Sequence, residues 1–117
     1  HLGVCRVMND VANYYVPDLD NLADRIMLWR ETKGFKTPDS FEDVSGILEK
    51  IALMHSELGE ATEAVRKGDL QNFVEELADT IIRILDLTGT MKIDIADAIS
   101  GKMRVNEGRP YMHGKKA

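Results

Sequence analysis

The chain has 117 residues, a length that suits one domain around one core. Hydrophobic residues make up 44% and charged residues 30%, an ordinary globular composition. The net charge of -5 argues against sequence-independent binding to a nucleic-acid backbone, which needs clustered Lys and Arg.

No apolar run approaches the ~20 residues of a membrane span, so no membrane role is expected. The first residues lack the basic-then-apolar layout of a secretory signal. Cys5 is the single cysteine, which excludes an internal disulfide and points to a reduced, cytoplasmic setting. Residues 1–16 read as an N-terminal arm or short helix carrying Val4, Val7, Val11 and Tyr14/Tyr15, and residues 17–117 as the functional domain.

The spacing of Leu19, Leu22, Ile26 and Trp29 predicts a first helix from about Asp18 to Thr32, stopped by Gly34. That face places Trp29 in the core. A second helix is predicted from Ser40, with Asp43 completing something close to a capping box. Its apolar stripe runs through Val44, Ile47, Leu48, Ile51, Met54, Leu58, Ala61 and Val65, and Gly68 ends it.

The third helix starts after its cap, Asp69. Leu70, Phe73, Leu77, Ile81, Ile84 and Thr88 mark one face, and Val74, Ala78, Ile82 and Leu85 widen it beyond the ~100° of a simple surface helix. Such an arc needs burial from two sides, so a homodimer or homotetramer is expected. A fourth helix is predicted from about Asp94 to Val105 with Ile95, Ile99 and Met103 inward, followed by a polar tail. The fold class is all-α: an antiparallel helical hairpin core that completes a four-helix bundle, through oligomerisation.

The hairpin carries the chemistry. Glu57 and Glu60 lie three residues apart, as do Glu76 and Asp79, so each pair shares a helix face. Counted outward from Gly68, Glu60 and Glu76 both lie eight residues away, and Glu57 and Asp79 both eleven. At about 1.5 Å rise per residue the pairs stand at matched heights. Charged stripes ordinarily mark the solvated outside of a helix, but two such pairs at matched heights across one turn argue for more. Four acids so gathered repel unless a cation joins them. The ligands are all oxygen, with no Glu-x-x-His, which disfavours zinc and di-iron centres and favours Mg²⁺ or Mn²⁺. Mg²⁺ keeps waters and completes its shell with substrate phosphates, so a phosphorylated substrate is implied.

On the third helix Glu76, Asp79, Arg83 and Asp86 form one charged line. The same counting sets Lys50 opposite Asp86 and Arg83 near Leu53 and Met54, where the two bases close one end of the acidic cluster. His55 reads as a structural histidine, and Glu63 and Glu75 as surface residues.

The segments Ser56-Glu-Leu-Gly-Glu-Ala-Thr-Glu-Ala64, Glu75-Glu-Leu-Ala-Asp79 and Ile81-Ile-Arg-Ile-Leu-Asp-Leu87 resemble those of the MazG-like nucleotide pyrophosphohydrolases, in the all-α NTP pyrophosphatase superfamily. Trp29-Arg-Glu-Thr-Lys-Gly-Phe35 and the tail Asn106-Glu-Gly-Arg-Pro-Tyr-Met-His-Gly-Lys115 are similar to one subgroup of it. The four acidic positions show no departure, and residues 1–16 lie outside the resemblance. The resemblance implies Mg²⁺-dependent cleavage of nucleoside triphosphates to monophosphate and pyrophosphate. Glu57, Glu60, Glu76 and Asp79 would hold the metal, with Glu57 or Glu60 as the base. Trp29, Lys33, Arg83, Lys102, Asn106, Arg109, Tyr111, His113 and Lys115 are the candidate substrate contacts. House-cleaning of non-canonical or surplus nucleotides is the implied role. The alternatives are a specific dCTP/dUTP or phosphoribosyl-ATP pyrophosphohydrolase, and a non-catalytic helical dimer that binds nucleotide or Mg²⁺.

Overall fold

A computed structural model describes residues 17–110 of the chain. They form four helices: α1 Pro17–Thr32, α2 Val44–Arg66, α3 Leu70–Thr90 and α4 Ile95–Glu107, with no strand among the described residues. The predicted N-terminal arm, Cys5, and the tail residues Tyr111, His113 and Lys115 lie outside the described residues.

α3 is the centre of the fold, with α2 on one side and α1 on the other, while α4 packs on α1. The hairpin α2–α3 closes on Gly68, whose φ of +70° suits a residue without Cβ. There Asp69 N–H donates to Ala64 C=O at 2.9 Å and Gly68 N–H to Val65 C=O at 3.1 Å, the paired bonds of a Schellman stop. Gly34 ends α1 in the same way, with Phe35 N–H reaching Arg30 C=O at 3.1 Å. α3 ends likewise, but Lys92 takes the left-handed position, with φ 58°. Asp69 and Asp94 cap α3 and α4 by accepting from the N–H groups of Asn72 and Asp97.

α1 and α3 meet closely at small residues. A Cβ on Gly89 would lie 2.8 Å from the Ala23 carbonyl oxygen, and Ala23 is buried. The buried apolar side chains are Ala23, Met54, Ala61, Ala64, Leu85, Leu87 and Ala96, so the core is rich in alanine.

The structure corrects several expectations. α2 begins at Val44 rather than Ser40, because the Asp43 carboxylate caps it by accepting from Gly46 N–H. Ser40 instead holds the preceding turn, its hydroxyl accepting from Glu42 N–H. α4 runs to Glu107, two residues beyond the predicted end. Trp29 and Leu22 are exposed rather than in the core, as are Ile99 and Met103, because α4 turns Ala96 and Ser100 inward. Only part of each hairpin stripe is covered: Val44, Leu48, Ile51, Leu58 and Val65 on α2 are exposed, and so are Leu70, Val74, Leu77, Ile81 and Ile84 on α3. α2 has α3 as its principal neighbour, which leaves its other side bare.

Candidate metal centre

The turn at Gly68 brings the acids of α2 and α3 together. Glu57, Glu76 and Asp79 place carboxylate oxygens all within 4.8 Å of one another. Glu57 and Glu76 are half-buried and Asp79 is exposed. Glu60 is exposed at the rim, and its charge acts on Glu76.

Burial is the main reason that the Glu57 carboxyl is pushed above the ordinary glutamate range. Arg83 opposes that rise, while the charges of Asp79 and Glu76 add to it. Glu76 is raised as well, by burial first and then by the charges of Glu60, Asp79 and Glu75. A set of crowded oxygen donors that resist losing their protons fits a hard divalent cation, which would take the place of those protons.

The sign of the pH effect follows. Folded-state values above the unfolded ones mean that these two groups stabilise the fold below the ordinary glutamate pKa, and that this contribution is lost as pH rises through the raised folded values. The metal-free Glu76→Gln variant is therefore expected to gain stability over wild type at neutral pH. Thermal melts across pH should show that gap closing as pH falls toward the ordinary glutamate range. A gap independent of pH would contradict it.

The other candidates are distributed unevenly. Arg83 reaches Glu57, one turn beyond Leu53 and Met54 near which the counting set it, with Nε 3.7 Å from Oε2. Lys33, Lys102 and Arg109 are exposed, and Asn106 is half-buried with its Oδ1 unpartnered. Among the described residues no hydrogen bond or ion pair joins Lys102 or Asn106 to the carboxylates. His55 is exposed, Glu63 pairs with Arg66 on the surface, and Glu75 accepts from Gln71.

Asp86 is not part of an exposed charged line. Its carboxylate is 4% exposed and accepts from Arg30 Nε at 2.7 Å and from Thr37 Oγ1 at 2.6 Å. The Arg30 guanidinium also lies over the Phe35 ring, 4.3 Å from its centroid. One buried carboxylate thus ties α1, the connection to α2, and α3 together. Arg30 and Thr37 lie 56 and 49 positions from Asp86, and no spacing signal reveals them. Beside this network opens a pocket of about 570 Å³, lined by Met27, Phe35, Pro38 and Lys50 among others. Lys50 and Asp86 each stand two helical turns, about 10 Å, from Glu57 and Asp79 along their helices.

The fold and the site define an all-helical domain whose central hairpin gathers carboxylates into one cluster that could hold a cation. The family model of the MazG nucleotide pyrophosphohydrolase domain matches residues 45–112, more than half of the chain, and the chain belongs to that family. The match covers α2 from its second residue, and all of α3 and α4, hence all four acids. Comparison with curated proteins and with solved structures returns no match.

Proposed function

We propose that the chain is a Mg²⁺-dependent nucleoside triphosphate pyrophosphohydrolase, giving the monophosphate and pyrophosphate. The observation that carries this reading is the gathering of Glu57, Glu76 and Asp79 within 4.8 Å in a chain of the MazG family. Glu57, Glu60, Glu76 and Asp79 hold the ion; Mn²⁺ is the natural substitute for an all-oxygen ligand set. When bound, the ion neutralises the triphosphate and makes water a stronger nucleophile. Glu60 or Glu57 accepts the proton of the attacking water. Glu60 is exposed and beside the cluster, which suits it to that task.

The nucleoside half of the substrate takes the pocket of about 570 Å³, a size within the range for small-molecule sites. Phe35 lines that pocket, and Trp29 is exposed in the last turn of α1. Lys33, Lys102, Asn106, Arg109, Tyr111, His113 and Lys115 are the further substrate contacts of this proposal. House-cleaning of non-canonical or surplus nucleotides is the role it assigns, in the cytoplasm. Among the described residues no helix is long and apolar enough to cross a membrane. The exposed apolar stripes on both hairpin helices support a homodimer or homotetramer, since an isolated monomer rarely exposes so much large apolar surface.

The test is a panel of canonical and modified nucleoside triphosphates with Mg²⁺, scored by pyrophosphate release. Release from at least one is expected. Tight nucleotide binding without release from any would favour a non-catalytic binding module.

A further inference from the structure

The two arginines of α3's surroundings are held in different ways. Arg30 lies 2.7 Å from Asp86 through Nε, a charged hydrogen bond, and its side chain is 11% exposed. Arg83 Nε lies 3.7 Å from Glu57 Oε2, beyond hydrogen-bond reach, and its side chain is 26% exposed. Arg30 is fixed; Arg83 is held by charge alone.

Its placement is specific. Arg83 follows Asp79 by four residues on α3, so it rises from the helix face that carries Glu76 and Asp79. It crosses to the one α2 carboxylate of the cluster that is half-buried. Among the charges acting on Glu57, it is the one that favours the ionised form, against Asp79 and Glu76. Two cations on one carboxylate repel each other, so a divalent ion at Glu57 works against this contact. A triphosphate brings its own surplus of negative charge to the same place, and a guanidinium matches phosphate oxygens two at a time.

We propose that Arg83 is an exchangeable counter-ion: it pairs with Glu57 in the metal-free protein and turns to the substrate's phosphates when a divalent cation occupies the cluster. The inference rests on the metal and triphosphate reading above. It assigns Arg83 two effects of opposite sign. It competes with the metal alone, and it assists the metal–nucleotide complex.

Calorimetry on the intact protein separates these effects. Mn²⁺ alone is titrated into wild type, Arg83→Gln and Arg83→Lys. A non-hydrolysable α,β-imido deoxynucleoside triphosphate is then titrated in saturating Mg²⁺. Arg83→Gln is expected to bind Mn²⁺ about threefold to fivefold more tightly than wild type. It is expected to bind the analogue about tenfold more weakly. Arg83→Lys, which keeps the charge and loses the fork, should match wild type for Mn²⁺ and regain part of the analogue affinity. A misfolded variant cannot gain metal affinity, so the first result distinguishes exchange from a structural role. Unchanged or weaker Mn²⁺ binding by Arg83→Gln overturns the proposal, and so does unchanged analogue binding. If wild type cleaves triphosphates while Arg83→Gln alters neither affinity, the exchange alone fails. If wild type binds no Mn²⁺, the metal reading fails and the exchange with it.

Discussion

Glu76→Gln is expected to lower pyrophosphate release by at least about a hundredfold and to remove most divalent-cation affinity. Loss of a partner one shell further out already costs roughly ten- to a hundredfold in metal sites, so loss of a ligand is set at the upper end or beyond. The argument rests on geometry: Glu76 comes from α3 to within 4.8 Å of both Glu57 on α2 and Asp79. The amide keeps the shape and removes the charge that a cation needs. The same substitution relieves the repulsion that, after burial, holds the Glu76 carboxyl above its ordinary range. The metal-free variant should therefore melt at a higher temperature than metal-free wild type at neutral pH. Loss of function with gain of stability is the signature of a site whose charge crowding serves a ligand. Calorimetric titration with Mn²⁺ and thermal melts check the two halves. Unchanged metal affinity would reduce the four acids to surface charge.

Asp86→Ala carries the largest expected effect on stability, a loss of about 3–5 kcal/mol in urea denaturation. The substitution leaves the Arg30 guanidinium, 11% exposed, without its buried counter-charge and strips the Thr37 hydroxyl of its acceptor. Desolvation of an uncompensated cation accounts for most of that cost. Asp86→Asn keeps an acceptor oxygen for Thr37 and is expected to lose less. The network also forms one wall of the pocket beside Phe35 and Lys50, so variants that remain folded should bind nucleotide more weakly than wild type. A cost below about 1 kcal/mol for Asp86→Ala would show that the pair is not the fastener of α1 to α3.

What could be read from the sequence was local. Gly34 and Gly68 stop helices because a left-handed residue is needed there, and Asp69 and Asp94 cap because a short acid beside free N–H groups has one obvious use. The hairpin followed, and with it the approach of Glu57 to Glu76 and Asp79, while Glu60, counted level with Glu76, stays outside that group of three. The helix start at Val44 was missed because Ser40 and Asp43 both have capping chemistry, and only the backbone decides between them. Asp86 was read as part of a charged line because its partners lie 56 and 49 positions away, and helical spacing holds no information at that range.

Trp29, Ile99 and Met103 illustrate a different limit. Periodicity identifies the apolar side of a helix, but whether a neighbour covers that side depends on how the helices are stacked. Arg83 was set beside Leu53 and Met54 by counting turns. An arginine is long enough to reach the next turn, and the unbalanced charge of Glu57 is what draws it there.

The most direct measurement compares wild type with Glu76→Gln in one assay of pyrophosphate release from nucleoside triphosphates, with and without Mg²⁺. Wild type should release pyrophosphate from at least one triphosphate only when Mg²⁺ is present, and the variant should be at least about a hundredfold slower. Equal rates for the two proteins, or release by wild type that is indifferent to divalent cations, would contradict the proposal that the hairpin carboxylates hold a catalytic metal.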